Sequence, residues 1–274
     1  MFAKSLFYIL FLLLSLKNTY AETAGETKSI KSPSGNILTI VSSEEWKNID
    51  KGIDFKIIKF KRGDGIIAFK LLRIDPQSVV IKVIYNRSSN VKSITEKEGA
   101  IAAINGSFFD VNGEPLGLLI SDGKTINRRI ATHPLYSGIF YVKDSIPHIV
   151  YRDDFAAGGV TQALQVGPVL IADGKDTDGL KDTNSIHYRS GIATDGLNRV
   201  IIYATDTNYN GLSFYEIRQI MRLPDINCTH VLNLDGGGST QMFVTTPSFS
   251  DYTAGKSNIP VAIGFYPHTK KSQP

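Results

Sequence analysis

Short runs with a two-residue apolar period dominate the chain from residue 53 onward, and this period predicts β-strands. The clearest pair covers residues 55–60 and 66–74, which a Gly-Asp-Gly turn joins into a hairpin. Further strands are predicted at residues 79–85, 100–104, 137–142, 163–165, 169–172, 190–193, 200–205, 231–233, 242–244 and 261–266.

Helical patterns are few, and each begins at a recognisable cap. Ser93 with Glu96 and Ser213 with Glu216 have the spacing of a capping box, in which side chain and main chain satisfy each other at a helix start. Gly99 is suited to end the first helix, because glycine adopts the left-handed conformation common at helix ends. The Ser213–Glu216 pair is therefore interpreted as a cap and not as catalytic machinery.

Many strands with few helices predict an α+β fold, a single domain built on a large mixed or antiparallel sheet with a few flanking helices. Regular βαβ alternation is missing, which disfavours a doubly wound parallel sheet. The domain is expected over residues 37–268, since no Pro/Ser-rich linker interrupts them. Residues 22–36 are polar and rich in Gly, Ser and Lys, and predict a flexible lead-in.

Residues 1–21 have the pattern of a secretory signal peptide. Lys4 supplies a positive charge, residues 5–16 are almost entirely apolar, and Thr19-Tyr20-Ala21 offers a small–x–small cleavage site. Cleavage would start the mature chain at Glu22 and place a bacterial protein in the periplasm or outside the cell, without stable membrane insertion. An uncleaved N-terminal anchor is the alternative.

Composition excludes several classes of function. The formal charge of +4 falls to +2 when Lys4 and Lys17 leave with the signal peptide, and a nearly neutral chain disfavours nucleic-acid binding. Cys228 is the single cysteine, so an intramolecular disulfide is impossible. The five histidines are scattered without metal-ligand spacing, and the sequence predicts neither a metal ion nor a cofactor.

The most distinctive local feature is Asp235, followed by Gly236, Gly237, Gly238 and Ser239 at the end of a predicted strand. Glycine lets the backbone approach a ligand closely and adopt positive φ. Successive main-chain N–H groups can form an anion-binding concavity. The pattern predicts a carboxylate beside a cradle for a phosphate or sugar oxygen. The alternative is a tight turn or bulge that only ends the strand.

Taken in order, the segments NGSFFD, QVGPVLI, HYRSGIATD, YATD and NLDGGGSTQMF resemble the phosphodiester glycosidases. This family includes the lysosomal uncovering enzyme, which removes N-acetylglucosamine from a sugar phosphodiester. The resemblance runs from about residue 105 to residue 266, and NLDGGGS is its most specific part. Ser107 stands where the family often has a second Gly, and Thr240 stands where a second Ser is common.

The resemblance implies hydrolysis of the bond between a sugar anomeric carbon and a phosphodiester oxygen. Such chemistry requires a carboxylate that activates water or stabilises an oxocarbenium-like centre. Asp235 is the first candidate by its place in the family motif, and Asp110 is the second. Glu114 and Asp206 are further candidates.

The departing phosphate carries negative charge, which must be held by Arg or by main-chain N–H groups. Arg189 could do so through a bidentate contact. The expected substrate-binding residues are Asn105, Gly106, Ser107, Gln165, Arg189, Gly236, Gly237, Gly238 and Ser239.

Three of these candidates have structural alternatives. Asp110 could cap the loop that follows it. Arg189 could be an ion-pair partner. Asp206 lies in a turn-rich stretch and could only stabilise the turn.

Two functions therefore remain open. The first is an exported hydrolase that cleaves a sugar-1-phosphodiester in a cell-envelope or glycan substrate. The second is a non-catalytic module that binds phosphorylated glycans with the same pocket. A phosphodiesterase that cuts the P–O bond would usually require metal ligands.

Overall fold

The computed structural model describes residues 29–180 and 183–268, so the predicted signal peptide at residues 1–21 lies outside the described residues. The described part contains helices α1 (Val91–Glu98) and α2 (Phe214–Met221). Its strands are β1 (Ser29–Lys31), β2 (Ile37–Ser43), β3 (Lys47–Asp50), β4 (Ile53–Arg62), β5 (Gly65–Ile74), β6 (Val79–Ser89), β7 (Ala102–Asn105), β8 (Leu119–Ser121), β9 (Lys124–Asn127), β10 (Gly138–Lys143), β11 (Ile146–Tyr151), β12 (Val160–Val166), β13 (Val169–Ala172), β14 (Lys175–Asp176), β15 (Ser190–Asp195), β16 (Val200–Thr205), β17 (Cys228–Asn233), β18 (Met242–Thr246), β19 (Phe249–Thr253) and β20 (Ile259–Pro267).

The strands form three antiparallel sheets. The largest has ten strands in the order β1-β2-β4-β5-β16-β15-β17-β13-β14, with β3 paired to β4. The other two have five strands each, in the orders β11-β10-β12-β8-β9 and β19-β18-β7-β20-β6. The fold is therefore mixed but mostly β, as the strand-rich pattern predicts. The expectation of one large sheet is corrected to three sheets.

The central strands of the ten-stranded sheet are buried on both faces. Because successive side chains of a strand point to opposite faces, consecutive residues pack into two different hydrophobic cores. One face points toward the five-stranded sheets, and the residues in that shared core include Leu72, Ile202, Leu232, Ile104 and Phe140. The opposite face packs against α2, and the residues there include Leu71, Ile201, Val231, Ile217 and Ile220. This packing fixes the large sheet between a helix and two smaller sheets.

The two helices begin differently from one another. Ser213 and Glu216 form the predicted capping box at the start of α2. The first helix starts earlier than predicted, because the Asn90 side chain accepts the N–H of Ser93 at 2.9 Å and is the true cap. Asn is as good a helix cap as Ser. Gly99 ends α1 with φ 73°, as expected.

The segment before residue 37 also differs from expectation. Residues 29–31 of the predicted flexible lead-in form β1, which pairs with β2 at the edge of the ten-stranded sheet. Ile30 is partly buried and packs against the core beside α2, and this burial offsets the cost of ordering the strand. Within the described residues, no helix is long and apolar enough to cross a membrane.

Candidate active site

Antiparallel pairing brings Arg189 and Asp235 to the same end of the ten-stranded sheet. Gly191 of β15 lies opposite Asn233 of β17. Arg189 immediately precedes β15, and Asp235 follows β17 by two residues. The two therefore continue neighbouring strands at one sheet end, where loops usually carry functional groups.

Three hydrogen bonds fix the main chain of Asp235. Its N–H donates to the carbonyl oxygen of Gly106 at 3.0 Å. Its own carbonyl oxygen accepts from Asn105 Nδ2 at 2.7 Å and from Ser190 Oγ at 3.0 Å. Asp235 is therefore held between β15 of the large sheet and the end of β7 in a small sheet.

The three glycines let this loop pass close to its neighbours. A Cβ on Gly236 would lie 2.9 Å from the Tyr188 carbonyl oxygen and 4.0 Å from Arg189 Cδ. Gly237 has φ +58° and donates its N–H to the same Tyr188 carbonyl at 2.9 Å. A Cβ on Gly238 would lie 2.7 Å from Ser257 Oγ. The N–H of Gly237 thus stabilises the loop itself. Fewer main-chain N–H groups than the sequence predicts are therefore left to bind an anion.

The Asp235 carboxyl titrates far from its usual range. Burial raises the pKa of Asp235 to about 6, and hydrogen bonding to the Ser239 hydroxyl and the Gly236 N–H lowers it in part. A carboxyl with this pKa changes protonation state close to neutral pH, as a general acid or base must.

Tyr136 belongs to the surroundings of Asp235, although nothing in the sequence marked it. Burial raises the pKa of Tyr136, and the charge of Asp235 raises it further. Its ring meets Phe108 edge-on at 5.0 Å between centroids, and its carbonyl oxygen accepts from Gln165 Nε2 at 2.9 Å. Contacts with Phe108 of the NGSFFD segment and Gln165 of the QVGPVLI segment therefore hold the Tyr136 phenol near the Asp235 carboxyl.

Arg189 is buried but does not pair with a carboxylate among the residues that the structure describes. Its Nε donates to the Leu212 carbonyl at 3.2 Å, and Nη2 donates to the Ser185 carbonyl at 3.0 Å. The guanidinium lies over the Phe214 ring, 3.8 Å from its centroid. Burial lowers the pKa of Arg189 to about 10, so the group stays cationic at neutral pH. The ion-pair alternative finds no partner in the described part of the chain.

A cavity of about 480 Å³, which we name the Arg189 cavity, opens beside this guanidinium. Most of its wall is apolar, with two histidines and a serine among the polar groups. The residues that line it are His133, Pro134, Leu135, Pro168, Gly179, Leu180, Ser185, His187, Arg189 and Phe214.

Asn105 and Gln165 use their amides within the protein. Asn105 donates to Asp235 and accepts the Gln241 N–H at 3.1 Å. Gln165 accepts the Ala131 N–H at 2.8 Å and donates to the carbonyl oxygens of Ala131 at 2.7 Å and Tyr136 at 2.9 Å. Both side chains are fully buried. In this structure they position the loops around Asp235.

Gly106 and Ser107 lie beside Asn105 in the same loop. A Cβ on Gly106 would come within 2.7 Å of Val261 Cγ1, so the loop needs a glycine there. Its N–H donates to the Val261 carbonyl at 2.8 Å. The Ser107 hydroxyl is buried without a hydrogen-bond partner among the described residues.

The other three candidate carboxylates make hydrogen bonds or ion pairs with groups other than Arg189. Asp110 accepts hydrogen bonds from the N–H groups of Asn112 at 2.8 Å and Glu114 at 2.9 Å. These are the bonds expected if Asp110 caps the loop that follows it. Glu114 is exposed and accepts from the Tyr85 hydroxyl at 3.0 Å. Asp206 is buried, accepts the N–H of the turn residue Asn208 at 3.0 Å and pairs with Lys70 at 3.1 Å.

Asp235 combines a carboxyl whose pKa burial raises with a following residue, Gly236, that lies against the Arg189 side chain. Within residues 29–180 and 183–268, no three His, Cys, Asp or Glu side chains form a group that could hold a metal ion.

Comparison with known proteins identifies relatives of this chain. A family model described as phosphodiester glycosidase matches residues 98–266, more than half of the chain. The matched residues include all of the segments that surround Asp235 and Arg189. No curated protein matches the sequence significantly.

Solved structures share the fold at low sequence identity. The catalytic domain of zebrafish N-acetylglucosamine-1-phosphodiester alpha-N-acetylglucosaminidase, auto-inhibited by its pro-peptide, matches with a TM-score of 0.61 at 14% identity, covering 82% of this chain and 87% of that one. A Synechocystis protein matches with a TM-score of 0.62 at 16% identity, covering 88% and 68%. A Burkholderia pseudomallei protein matches with a TM-score of 0.51 at 12% identity, covering 74% and 75%. At these identities the likeness establishes the fold alone.

Proposed function

Because the chain belongs to the phosphodiester glycosidase family, we propose that it hydrolyses the bond between a sugar anomeric carbon and a phosphodiester oxygen. The observation that carries the proposal is the buried carboxyl of Asp235, whose pKa burial raises to about 6 and whose main chain is fixed by three hydrogen bonds. The next residue, Gly236, lies against the Arg189 side chain, with 4.0 Å between the Cβ position of Gly236 and Arg189 Cδ. The finer assignment is an exported enzyme that acts on a cell-envelope or glycan substrate.

Asp235 acts in its ionised form. As the carboxylate it either takes a proton from the attacking water or stabilises positive charge at the anomeric carbon. Its main chain is held by Gly106, Asn105 and Ser190, so the carboxylate needs little reorganisation before reaction. Water adds its oxygen to the anomeric carbon, the bond from that carbon to the phosphodiester oxygen breaks, and the products are the free sugar and a phosphate monoester.

Arg189 holds the phosphate group. Two of its nitrogens donate to the carbonyl oxygens of Leu212 and Ser185, and its plane rests on Phe214, so the guanidinium has a fixed orientation. A buried guanidinium that makes no ion pair within the described residues retains its positive charge for an anionic ligand. The departing phosphate monoester is a good leaving group, and stabilising its charge reduces the need for a strong general acid.

The proposal is tested by incubating the purified protein with UDP-N-acetylglucosamine and related sugar-1-phosphodiesters in ¹⁸O-labelled water, with and without a chelator. We expect free sugar that carries the label and an unlabelled phosphate monoester, with equal rates in both conditions. Label in the phosphate would show P–O cleavage. Tight binding of these compounds without turnover would favour the non-catalytic binding module.

Export is a separate part of the proposal. We expect the signal peptide to be removed after Ala21, because Thr19-Tyr20-Ala21 has the small–x–small pattern of a cleavage site. N-terminal sequencing of the protein from the periplasm or the medium should begin at Glu22. Recovery of soluble protein with Met1 in the cytoplasm would contradict this assignment.

A further inference from the structure

Arg189 connects the surroundings of Asp235 with the Arg189 cavity. Its Cδ lies 4.0 Å from the Cβ position of Gly236, the residue that follows Asp235. Its guanidinium lies in the cavity wall and stacks on Phe214, which lines the same cavity. A phosphate bound at this guanidinium would therefore have the Asp235 loop on one side and the cavity on the other.

The cavity wall is more apolar than polar. Pro134, Leu135, Pro168, Leu180 and Phe214 supply its apolar surface, and the polar side chains in it are those of His133, Ser185, His187 and Arg189. Hydroxyl groups that lose water against the apolar part of such a wall, without hydrogen-bond partners, are destabilised. Apolar groups are stabilised by the same transfer, because their surface is removed from water.

The cavity also has the size of a ligand site. Its volume of about 480 Å³ lies within the range of about 300–1,000 Å³ that is usual for small-molecule sites. One buried charged group with a fixed orientation in a mostly apolar wall is the arrangement of a site that binds an amphipathic molecule through its charged end.

We propose that the Arg189 cavity binds the group esterified to the substrate's phosphate, and that this group is apolar, an alkyl or aryl chain. The inference rests on the proposed function, in which the sugar lies at Asp235 and the phosphate at Arg189. It names the class of substrate, a sugar joined through a phosphodiester to an apolar alcohol. After cleavage the cavity holds the product, an alkyl or aryl phosphate monoester.

Calorimetric titration with product analogues tests the inference without requiring turnover. The probes are n-octyl phosphate and glycerol 1-phosphate, which carry the same charged group on an apolar and a hydrophilic alcohol. We expect n-octyl phosphate to bind at least tenfold more tightly. Equal dissociation constants, or no binding of either probe, would overturn the inference.

A pair of substitutions assigns the binding to the cavity. Leu135 lines the cavity and is 46% exposed as a residue, so we expect Leu135→Asn to preserve the fold and to make the wall more polar. We expect this variant to raise the dissociation constant of n-octyl phosphate about tenfold and to leave that of glycerol 1-phosphate unchanged. The matched control is Leu197→Asn, because Leu197 is 74% exposed and does not line the cavity. An unchanged affinity of Leu135→Asn for n-octyl phosphate would overturn the inference.

Failure of the proposed function would look different. Tight and Leu135-dependent binding of n-octyl phosphate by a protein that hydrolyses no sugar-1-phosphodiester would refute the hydrolase but support the assignment of the cavity. Turnover of sugar-1-phosphodiesters with equal affinity for the two probes would support the hydrolase and refute the apolar aglycone.

Discussion

Replacing Asp235 by Asn should remove activity and at the same time stabilise the protein at neutral pH. The substitution keeps the size of the side chain and removes its charge. It leaves the three main-chain hydrogen bonds of residue 235 in place, because these involve the backbone N–H and carbonyl groups. Loss of an essential carboxylate should lower kcat by on the order of 10³-fold or more.

The stabilisation follows from the raised pKa of the Asp235 carboxyl, which moves from 3.8 to about 6 in the folded protein. At 1.36 kcal/mol per pKa unit this corresponds to about 3 kcal/mol of unfolding free energy, and partial exposure reduces it to roughly 1–3 kcal/mol. Because the folded pKa is the higher one, this cost is absent below about pH 4, grows as the pH rises to about 6, and is complete above about pH 7.

Calorimetric melting and steady-state kinetics on a sugar-1-phosphodiester check both parts. For a domain of this size, 1 kcal/mol corresponds to about 2–4 °C in Tm. We expect Asp235→Asn to melt roughly 2–10 °C above the wild type at about pH 7.5, and at the same temperature as the wild type at about pH 4.

Asp153→Asn is the control, because the Asp153 side chain is 83% exposed. This variant should change neither Tm nor kcat. A lower Tm of Asp235→Asn at neutral pH would show that the carboxylate holds the glycine turn together. Full turnover in a folded variant would remove Asp235 from the mechanism and favour Asp110.

Three further predictions follow from the same geometry. In a kinetic pH profile, kcat/KM should fall tenfold per pH unit below about pH 6, because protonation of Asp235 removes the active carboxylate; the residual activity of Asp235→Asn should lack this inflection. Arg189→Lys should lower turnover and raise the dissociation constant of inorganic phosphate together, each by about tenfold or more, since an ammonium cannot stack on Phe214 and hold a phosphate at two points; unchanged phosphate affinity would contradict the assignment. Gly237→Ala should lower the unfolding free energy by about 1–2 kcal/mol through its φ of +58° alone, because nothing lies within 4 Å of the added Cβ; a denaturant titration with an unaltered midpoint would contradict it.

The sequence predicts most of the central strands, because their apolar residues follow the two-residue period of a strand and the structure pairs them with neighbouring strands. The hairpin of β4 and β5 and the strand β16 appear where the apolar runs place them. The number of sheets could not be predicted in the same way, because it depends on which distant strands pair. β7 illustrates this, since it pairs with β18 and β20 far along the chain.

Two short strands were missed, and one helix start was misplaced. β8 and β9 have only 3 and 4 residues, too few to show a period. At α1, Ser93 and Glu96 have the correct spacing for a cap, but Asn90 lies one turn earlier and accepts the Ser93 N–H. Two candidate caps in one segment cannot be separated by spacing alone, because the choice depends on the backbone angles.

The loops around Asp235 could be located from their glycines and polar residues, but their roles could not. Asn105 and Gln165 have the amides expected of sugar-binding residues, yet packing directs those amides to the main chain. Tyr136 lies near Asp235 only because Gln165 holds a 3₁₀ turn against Phe108. Contacts of this kind join segments about 30 to 130 residues apart and leave no mark in a local pattern.

The main-chain hydrogen bonds of Asp235 link the position of this proposed catalytic residue to the packing of the sheets against each other. Its N–H donates to Gly106, the residue after β7 in a small sheet, and its carbonyl oxygen accepts from Asn105, the last residue of β7. The same carbonyl oxygen also accepts from Ser190, the first residue of β15 in the large sheet. Any sliding of one sheet over the other must therefore displace the carboxylate. Enlarging or truncating side chains in the core between these sheets should misplace the Asp235 carboxylate by fractions of an ångström while the protein remains folded. The interior between the sheets thus determines the accuracy with which this carboxylate is placed.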